Sequence, residues 1–421
     1  MVTRSLFGED AAILGDTDFR VLLLAGLLPT LGSGLVSPVL DSLIDPFGAS
    51  TASIGWMIAA FTAPAIVVIP LGGALADRYG RKVVLVTAIA CFGVGGTAIA
   101  LTTDFRIALA CRLLQGVGWA GITPTIVTSI GDLYDGGEEE TAQGLRFGVT
   151  GLSGAVFPLA AGALVTLAWQ YPFLLYAMAF PIGVAVVLWF DEPTDRPVVI
   201  GDGGKTPAGD SYTRALLDLS SHPRVLAIVV ARALYPAVFI GLMTYNSVVV
   251  RLLGGTPVQA GVLVAGSYAA FAVAASQAGR VTALFDSRIY PLLGANASLG
   301  LGFLVFLYAP TLAVAGLGAV AIGVGIGLLG ALYRSILTGM ASADLRAGLV
   351  GLSEAGGRVT ATATPLVMGA IVGLLSASLG LAGAIRLAGL AVAIVGGGGG
   401  ALCVLLARAA RPVEMGKPLK N

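Results

Sequence analysis

Long apolar stretches separated by short polar breaks run along almost the whole chain. A helix needs about 20 apolar residues to cross a bilayer. Twelve such stretches can be placed by their polar flanks, near 21–44, 52–76, 83–102, 105–130, 146–168, 172–190, 225–250, 257–278, 289–308, 312–338, 349–375 and 381–407. Backbone amides in lipid must bond within their own segment, so each stretch is expected to be helical. The longest polar stretch, 191–224, falls after six spans and before six more, and contains Asp202-Gly203-Gly204-Lys205-Thr206-Pro207. It reads as a linker with a short amphipathic helix near 211–219. The expected fold class is therefore an all-α membrane protein of twelve transmembrane helices. Residues 1–190 would form one six-helix bundle, 191–224 the linker, and 225–421 the second bundle with a tail.

Composition supports the class. Hydrophobic residues make up 57% and charged residues 11% of the 421, with a mean hydropathy of +0.92, whereas soluble domains carry about 25% charge. The net charge of +1 gives no reason to expect nucleic acid as a partner. Cys91, Cys111 and Cys403 all lie in apolar segments without metal-ligand spacing and read as buried fillers. The first twenty residues carry Arg4, Glu9, Asp10, Asp16, Asp18 and Arg20, a polar lead-in rather than a signal peptide. The one histidine, His222, sits beside Pro223 with no clustered ligands. A membrane-embedded enzyme, a metal site and a cofactor are accordingly not expected.

Orientation follows from basic residues in the loops. With the first loop outside, the outer loops carry Arg106, Arg251 and Arg386. The inner segments carry Arg78, Arg81, Lys82, Arg146, Arg196, Lys205, Arg214, Arg224, Arg280, Arg288, Arg346, Arg408, Arg411, Lys417 and Lys420. That asymmetry predicts both termini in the cytoplasm of a prokaryotic plasma-membrane protein.

One break departs from simple polarity. Gly73-Ala74-Leu75-Ala76-Asp77-Arg78-Tyr79-Gly80-Arg81-Lys82 places an acid, three bases and two glycines between the second and third spans. Positive charge alone would explain Arg81 and Lys82 as a topology signal, but not Asp77 or the glycines. Gly73 allows close helix approach, and Gly80 allows a turn with positive φ. The pattern G-x-x-x-D-R-x-G-R-K resembles the loop between the second and third helices of the major facilitator superfamily of secondary transporters. In that family the loop latches two six-helix halves together on the cytoplasmic side when the protein is open outward. The second half keeps only a decayed counterpart, Gly279-Arg280 and Asp286-Ser287-Arg288. A short internal match lays Gly144, Pro158 and Gly162 over Gly351, Pro365 and Gly369.

Two further segments extend the resemblance. Arg112-Leu113-Leu114-Gln115-Gly116-Val117-Gly118-Trp119-Ala120 is similar to the family's fourth-helix motif, R-x-x-Q-G-x-G-x-A. Arg112, Gln115 and Trp119 share a helix face. A charge at that depth costs several kcal/mol unless it finds a partner or a cavity. In proton-coupled members the arginine is thought to assist proton transfer; a structural arginine bonded to helix carbonyls is the other reading. Gly116-x-Gly118-x-x-Gly121 also fits a dinucleotide pattern, but no strand precedes it. In the fifth span, Gly144, Ser153, Pro158 and Gly162 fall on the antiporter motif G-x8-G-x3-G-P-x2-G-G, with Ser153 and Ala161 as small substitutes and Phe157 as a departure.

Among acids, Asp41 is the candidate proton carrier, placed to line an outer vestibule and reach the face of Arg112. The alternative is that Asp41 and Asp45 are solvated interfacial acids. Glu354 and Arg358 are spaced to pair along one helix. Asp132, Asp135 and Glu138–Glu140 read as a solvated acidic loop. Arg232, Tyr235, Tyr245, Asn246, Tyr268, Gln277 and Tyr333 are the candidate cavity walls of the second half, with Trp119 in the first. The resemblance implies a monomeric, proton-coupled exporter of small, moderately hydrophobic molecules, cations among them, most like the drug:proton antiporter branch. A proton symporter importing a small solute would share every strong motif. If the latch holds, Asp77→Asn is expected to cripple transport in reconstituted vesicles while membrane insertion stays normal; full transport by the variant would remove the latch.

Overall fold

A computed structural model describes residues 13–192 and 209–410. The linker segment 193–208 and the two chain ends lie outside the described residues, as do the side chains of residues 209–211 and of Gly73, Ala74, Asp77, Ala343, Asp344 and Ala347. Helices occupy all twelve predicted spans. Among the described residues, eight helices are long and apolar enough to cross a bilayer by length and composition alone, one of them, Gly348–Ala409, covering the last two spans, and a bent pair makes a ninth. A further helix, Gly209–Ser221, forms where the linker pattern predicts one.

Departures from a straight helix have local causes. The first span runs as Thr17–Ala25, Leu28–Gly34 and a 3₁₀ turn over Ser37–Leu43, bent by 45°. Pro29 and Pro38 lack the N–H that would continue the ladder. Two helices within Ala343–Ala393 meet at a kink at Gly380, where φ is 70° and the eleventh span gives way to the twelfth. Only glycine reaches that conformation without strain. In the twelfth span the run of glycines forms a π-helical turn, Ile394–Gly399.

The chain divides into two compact units. The first comprises residues 1–196 together with 243–269, and the second 197–242 together with 270–421. The hairpin joining the seventh and eighth spans thus belongs with the first six. Within the first unit, the third span (Arg81–Ala98) and the fourth (Phe105–Leu133) meet backbone to backbone. A Cβ at Gly118 would fall 2.4 Å from the Ala88 carbonyl oxygen, and one at Gly95 would fall 2.6 Å from the Gln115 nitrogen.

The second unit repeats this contact. A shift of 207 residues carries Gly118 onto Gly325 and Gly95 onto Gly302. A Cβ at Gly325 would fall 2.8 Å from the Ala295 oxygen and 2.8 Å from the Leu299 nitrogen, which are the shifted positions of Ala88 and Phe92. One at Gly302 would meet Gly318 and Ile322, the shifted Cys111 and Gln115. The same shift relates Gly144, Pro158 and Gly162 to Gly351, Pro365 and Gly369. Small residues drive helix association in lipid because they let backbones touch.

Replacing Gly118 or Gly325 by valine forces these backbones apart. Each substitution is expected to cost about 1–3 kcal/mol or more, read as a lowered melting temperature in detergent. Gly144→Ala, with open space around its Cβ position, is the control and is expected to change little.

Candidate functional site

The 73–82 loop closes on two acids. Gly80, with φ at 95°, turns the chain between Ala65–Tyr79 and Arg81–Ala98. The Glu192 carboxylate fills the space where a side chain at Gly80 would go, 2.9 Å from that Cβ position. One Glu192 oxygen accepts from the Arg81 backbone N–H at 2.6 Å, and the other from that of Lys82 at 3.0 Å. Glu192 therefore caps the third span with a full negative charge, where the helix dipole favours one. The Arg81 side chain donates to Asp132 at 2.9 Å, at the end of the fourth span. Asp132 is thus a partner of the loop rather than part of a solvated face. Arg78 lies over the Tyr79 ring at 5.5 Å.

Neighbouring helix ends join the same network. Asp16 caps the first helix and accepts from the Tyr134 hydroxyl, and Asp18 accepts from the Asp191 backbone N–H at 2.7 Å. Burial, and then the Asp16 and Asp18 carboxylates, hold the Tyr134 phenol well above its ordinary pKa. It stays a neutral donor at any working pH. The sequence reading missed Glu192. An acid at the end of the sixth span sits where the helix dipole disfavours it, and that misfit was the available signal.

Arg112 is fully buried, and its fork ties three spans together. Nε donates to the Met57 carbonyl at 2.9 Å, one terminal nitrogen to the Gly32 carbonyl at 3.1 Å, and the other to Gln115 Oε1 at 2.5 Å. The guanidinium lies 4.3 Å from the Phe61 ring centre, and Trp119 packs against the same ring at 4.9 Å. Gly32 and Gly116 make room for Phe61. Tyr176 donates to the Leu31 carbonyl at 2.9 Å, beside Gly32. The first span loses regular helix between Gly34 and Ser37, just past these two carbonyls. Among the described residues, no hydrogen-bond partner of Arg112 is a carboxylate. The geometry is that of an arginine bonded to helix carbonyls.

Asp41 turns elsewhere. Its Oδ2 pairs with Arg251 at 2.7 Å, and its backbone N–H donates to Ser247 Oγ at 3.1 Å. Both partners belong to the hairpin that clusters with the first unit. Tyr245 donates to the Thr51 carbonyl at 3.4 Å, and Asn246 to the Ala260 carbonyl at 3.0 Å. These residues fasten the hairpin, and Asp41 does not join Arg112. The fifth span, Gly136–Leu164, crosses the start of Pro257–Ala283 within the same unit. A Cβ at Gly162 would fall 2.4 Å from the Pro257 oxygen, and one at Gly261 would fall 2.4 Å from the Pro158 oxygen. The Tyr268 ring fits against Gly34 and Gly154, and the Ser153 hydroxyl bonds back to the Val149 carbonyl at 2.7 Å. Gly144 has nothing within 4 Å of its Cβ position.

In the second unit, Arg232, Tyr235 and Tyr333 come together. Arg232 pairs with Glu354, and Arg334 lies 3.9 Å from the same carboxylate. Glu354 therefore forms ion pairs with arginines on two other helices, partners that its spacing to Arg358 on its own helix did not suggest. Arg232 covers the Tyr235 ring at 4.9 Å, and Tyr235 stacks on Tyr333 at 5.9 Å. Asn296 donates to the Tyr333 hydroxyl at 3.1 Å. Gln277 accepts from Arg280 at 2.9 Å, away from this group.

Known proteins share the fold and parts of the sequence. The chain resembles the bacillibactin exporter of Bacillus subtilis (strain 168), 32% identical over 154 residues, 35% of this chain and 38% of that protein. It also resembles the multidrug transporter protein MdtP of the same organism, 25% identical over 181 residues, 42% of this chain and 33% of that protein. The chain thus spans well under half the length of these curated relatives. Among solved structures, a bacterial homologue of the human lysosomal transporter Spinster, inward-facing and unoccupied, matches at a TM-score of 0.76 with 17% identity over 93% of this chain and 96% of that one. A D-xylose–proton symporter matches at 0.72 with 16% identity over 90% and 96%. The family model of the Major Facilitator Superfamily matches residues 22–252, more than half of the sequence. With the helical fold, the repeated glycine contacts and the capped 73–82 loop, that match establishes that the chain belongs to the Major Facilitator Superfamily of membrane transporters.

Proposed function

We propose that the chain is a proton-coupled secondary transporter that exports small, moderately hydrophobic molecules by alternating access. It would work as a monomer in a prokaryotic plasma membrane, with the 73–82 loop and both termini in the cytoplasm. The observation that carries the reading is the seating of that loop. Its turn is locked by Glu192 and its arginine by Asp132. A loop fixed this firmly can transmit helix motion as a latch. The named activities of the relatives, an exporter and a multidrug transporter, support the outward direction. Substrate and protons would shift the equilibrium between inward- and outward-open states only through different affinities for the two. Asp41, held by Arg251, is the acid proposed to exchange its ion pair for a proton.

Reconstituted vesicles with a pH-sensitive dye inside test direction and coupling together. Protons are expected to move opposite to a hydrophobic probe substrate; movement in the same direction would make the protein a symporter. Asp41→Asn is expected to flatten the pH dependence of transport, and an unchanged profile would remove Asp41 as the carrier. Arg112→Lys keeps the charge but not the fork. It is expected to cost about 2–4 kcal/mol of stability by stranding buried acceptors, visible as a lowered melting temperature, together with a loss of proton-driven transport. Full proton-driven activity would show that charge alone suffices there.

A further inference from the structure

The second half of the chain is short of negative charge. Between residues 223 and 410 the sequence carries arginines at 224, 232, 251, 280, 288, 334, 346, 358, 386 and 408, no lysine, and acids only at Asp286, Asp344 and Glu354. Among the described side chains of this half, Glu354 is the acid that pairs with arginines of other helices. It lies eleven residues into its helix, about 16 Å from that helix's start, and Arg232 lies nine residues into its own, about 13 Å. Arg232 and Arg334 share this single carboxylate. Arg358 stands one turn further along the same helix as Glu354, on the same face. Asp344 is ten residues back along that helix, about 15 Å away, and Asp286 lies beyond the end of Pro257–Ala283, outside the helices.

Arg232 and Arg334 on one carboxylate, with Arg358 a turn away, make a fixed positive field near one end of the spans. Such a field is costly in a low dielectric unless an anion or water answers it. The group is also ordered. Arg232 is 8% exposed and lies over Tyr235, which is stacked on Tyr333, itself held by Asn296. Gly357 leaves room for the guanidinium; a Cβ there would fall 3.3 Å from Nη1. Arg334, by contrast, keeps 62% of its side chain exposed, and Glu354 keeps 27%. The buried arginine is positioned and the outer one is accessible.

We propose that this cluster recognises the anionic group of an amphipathic organic anion, a carboxylate or a sulfonate. Arg334 is the accessible arm, and Glu354 is the internal anion that the substrate displaces. Planar guanidiniums grip such groups in bidentate fashion. The proposal deepens the transporter reading and rests on it only for the step that carries the bound anion across the membrane. It replaces the expectation of cationic substrates, which the same field would repel.

Two fluorescent probes with nearly the same ring system test it: 1-anilinonaphthalene-8-sulfonate and the uncharged N-phenyl-1-naphthylamine. Binding of each to the full chain in lipid vesicles is titrated against protein-free vesicles. The wild-type protein is expected to bind the sulfonate about tenfold more tightly than the neutral probe. Arg334→Gln, at an exposed position that folding tolerates, is expected to erase most of that preference. Glu354→Gln removes the competing carboxylate and is expected to strengthen sulfonate binding several-fold. Equal affinity for the two probes, or a preference untouched by Arg334→Gln, would overturn the anion site. Proton-driven movement of either probe is scored in the same vesicles. Its absence beside an intact sulfonate preference removes the efflux reading alone. Its presence without that preference removes the anion site alone.

Discussion

A charge inside a bilayer has no water to answer it, and this constraint orders most of what is distinctive in the chain. Each deep charge finds an answer of a different kind. Arg112 is answered by backbone carbonyls of the first and second spans and by Gln115. Arg232 is answered by a carboxylate from another helix, and Asp41 by an arginine from a hairpin far along the sequence. The helix breaks belong to the same account. An unwound turn leaves carbonyls without their ladder partners, and the first span is irregular next to where Arg112 and Tyr176 need acceptors. A defect in the helix and a charge in the membrane are each costly alone and compatible together.

Glycine supplies the second half of the construction. Apolar side chains gain little by burial against other helices when lipid tails are as apolar as leucine. Backbone contact is what remains, and it occurs where Gly95 and Gly118 let two helices touch. At Gly80 the same smallness serves charge instead, because the Glu192 carboxylate occupies the side-chain position. The loop therefore has two separable parts. A capped turn fixes the helix entry, and an arginine ties it to the fourth span through Asp132.

Much of this was legible in the sequence, for reasons that differ by feature. The spans were readable because lipid demands length and apolarity, and both are local properties. The Gly80 turn and the Arg112 motif were readable because their residue types are improbable at those places without a cause. Partners were harder. Arg358 lies one turn from Glu354 in the sequence, yet Arg232 and Arg334, from two other helices, also reach it. Asp132 sits among acids that look like a solvated run, yet it meets Arg81. Spacing along one helix reports possible neighbours on that helix and is silent about helices that arrive from elsewhere. The two-unit division shows the same limit. No local signal marks residues 243–269 as packing with the first six spans, because the contacts that hold them there join residues distant in sequence, such as Gly162 and Pro257 or Asp41 and Ser247.

The internal shift of 207 residues separates scaffold from chemistry. The glycines that hold the third and fourth spans together recur in the ninth and tenth, with equivalent contacts. Apart from Arg81, which falls on Arg288, the charged residues of the two sites do not recur. Arg112 maps onto Ala319, Asp77 onto Leu284 and Gly80 onto Ser287; in the other direction Arg232, Arg334, Glu354 and Arg358 map onto Ala25, Val127, Phe147 and Gly151. A repeated fold needs its close packing in both copies, because every helix in lipid meets the same solvent problem. It does not need its charges twice, since each buried charge is expensive and is kept only where it does something one copy suffices for. The first half therefore holds the loop and the carbonyl-bonded arginine. The second half holds the arginine cluster around one carboxylate. On this view the places where the two halves differ, rather than those where they agree, are where the specific activity of the chain is written.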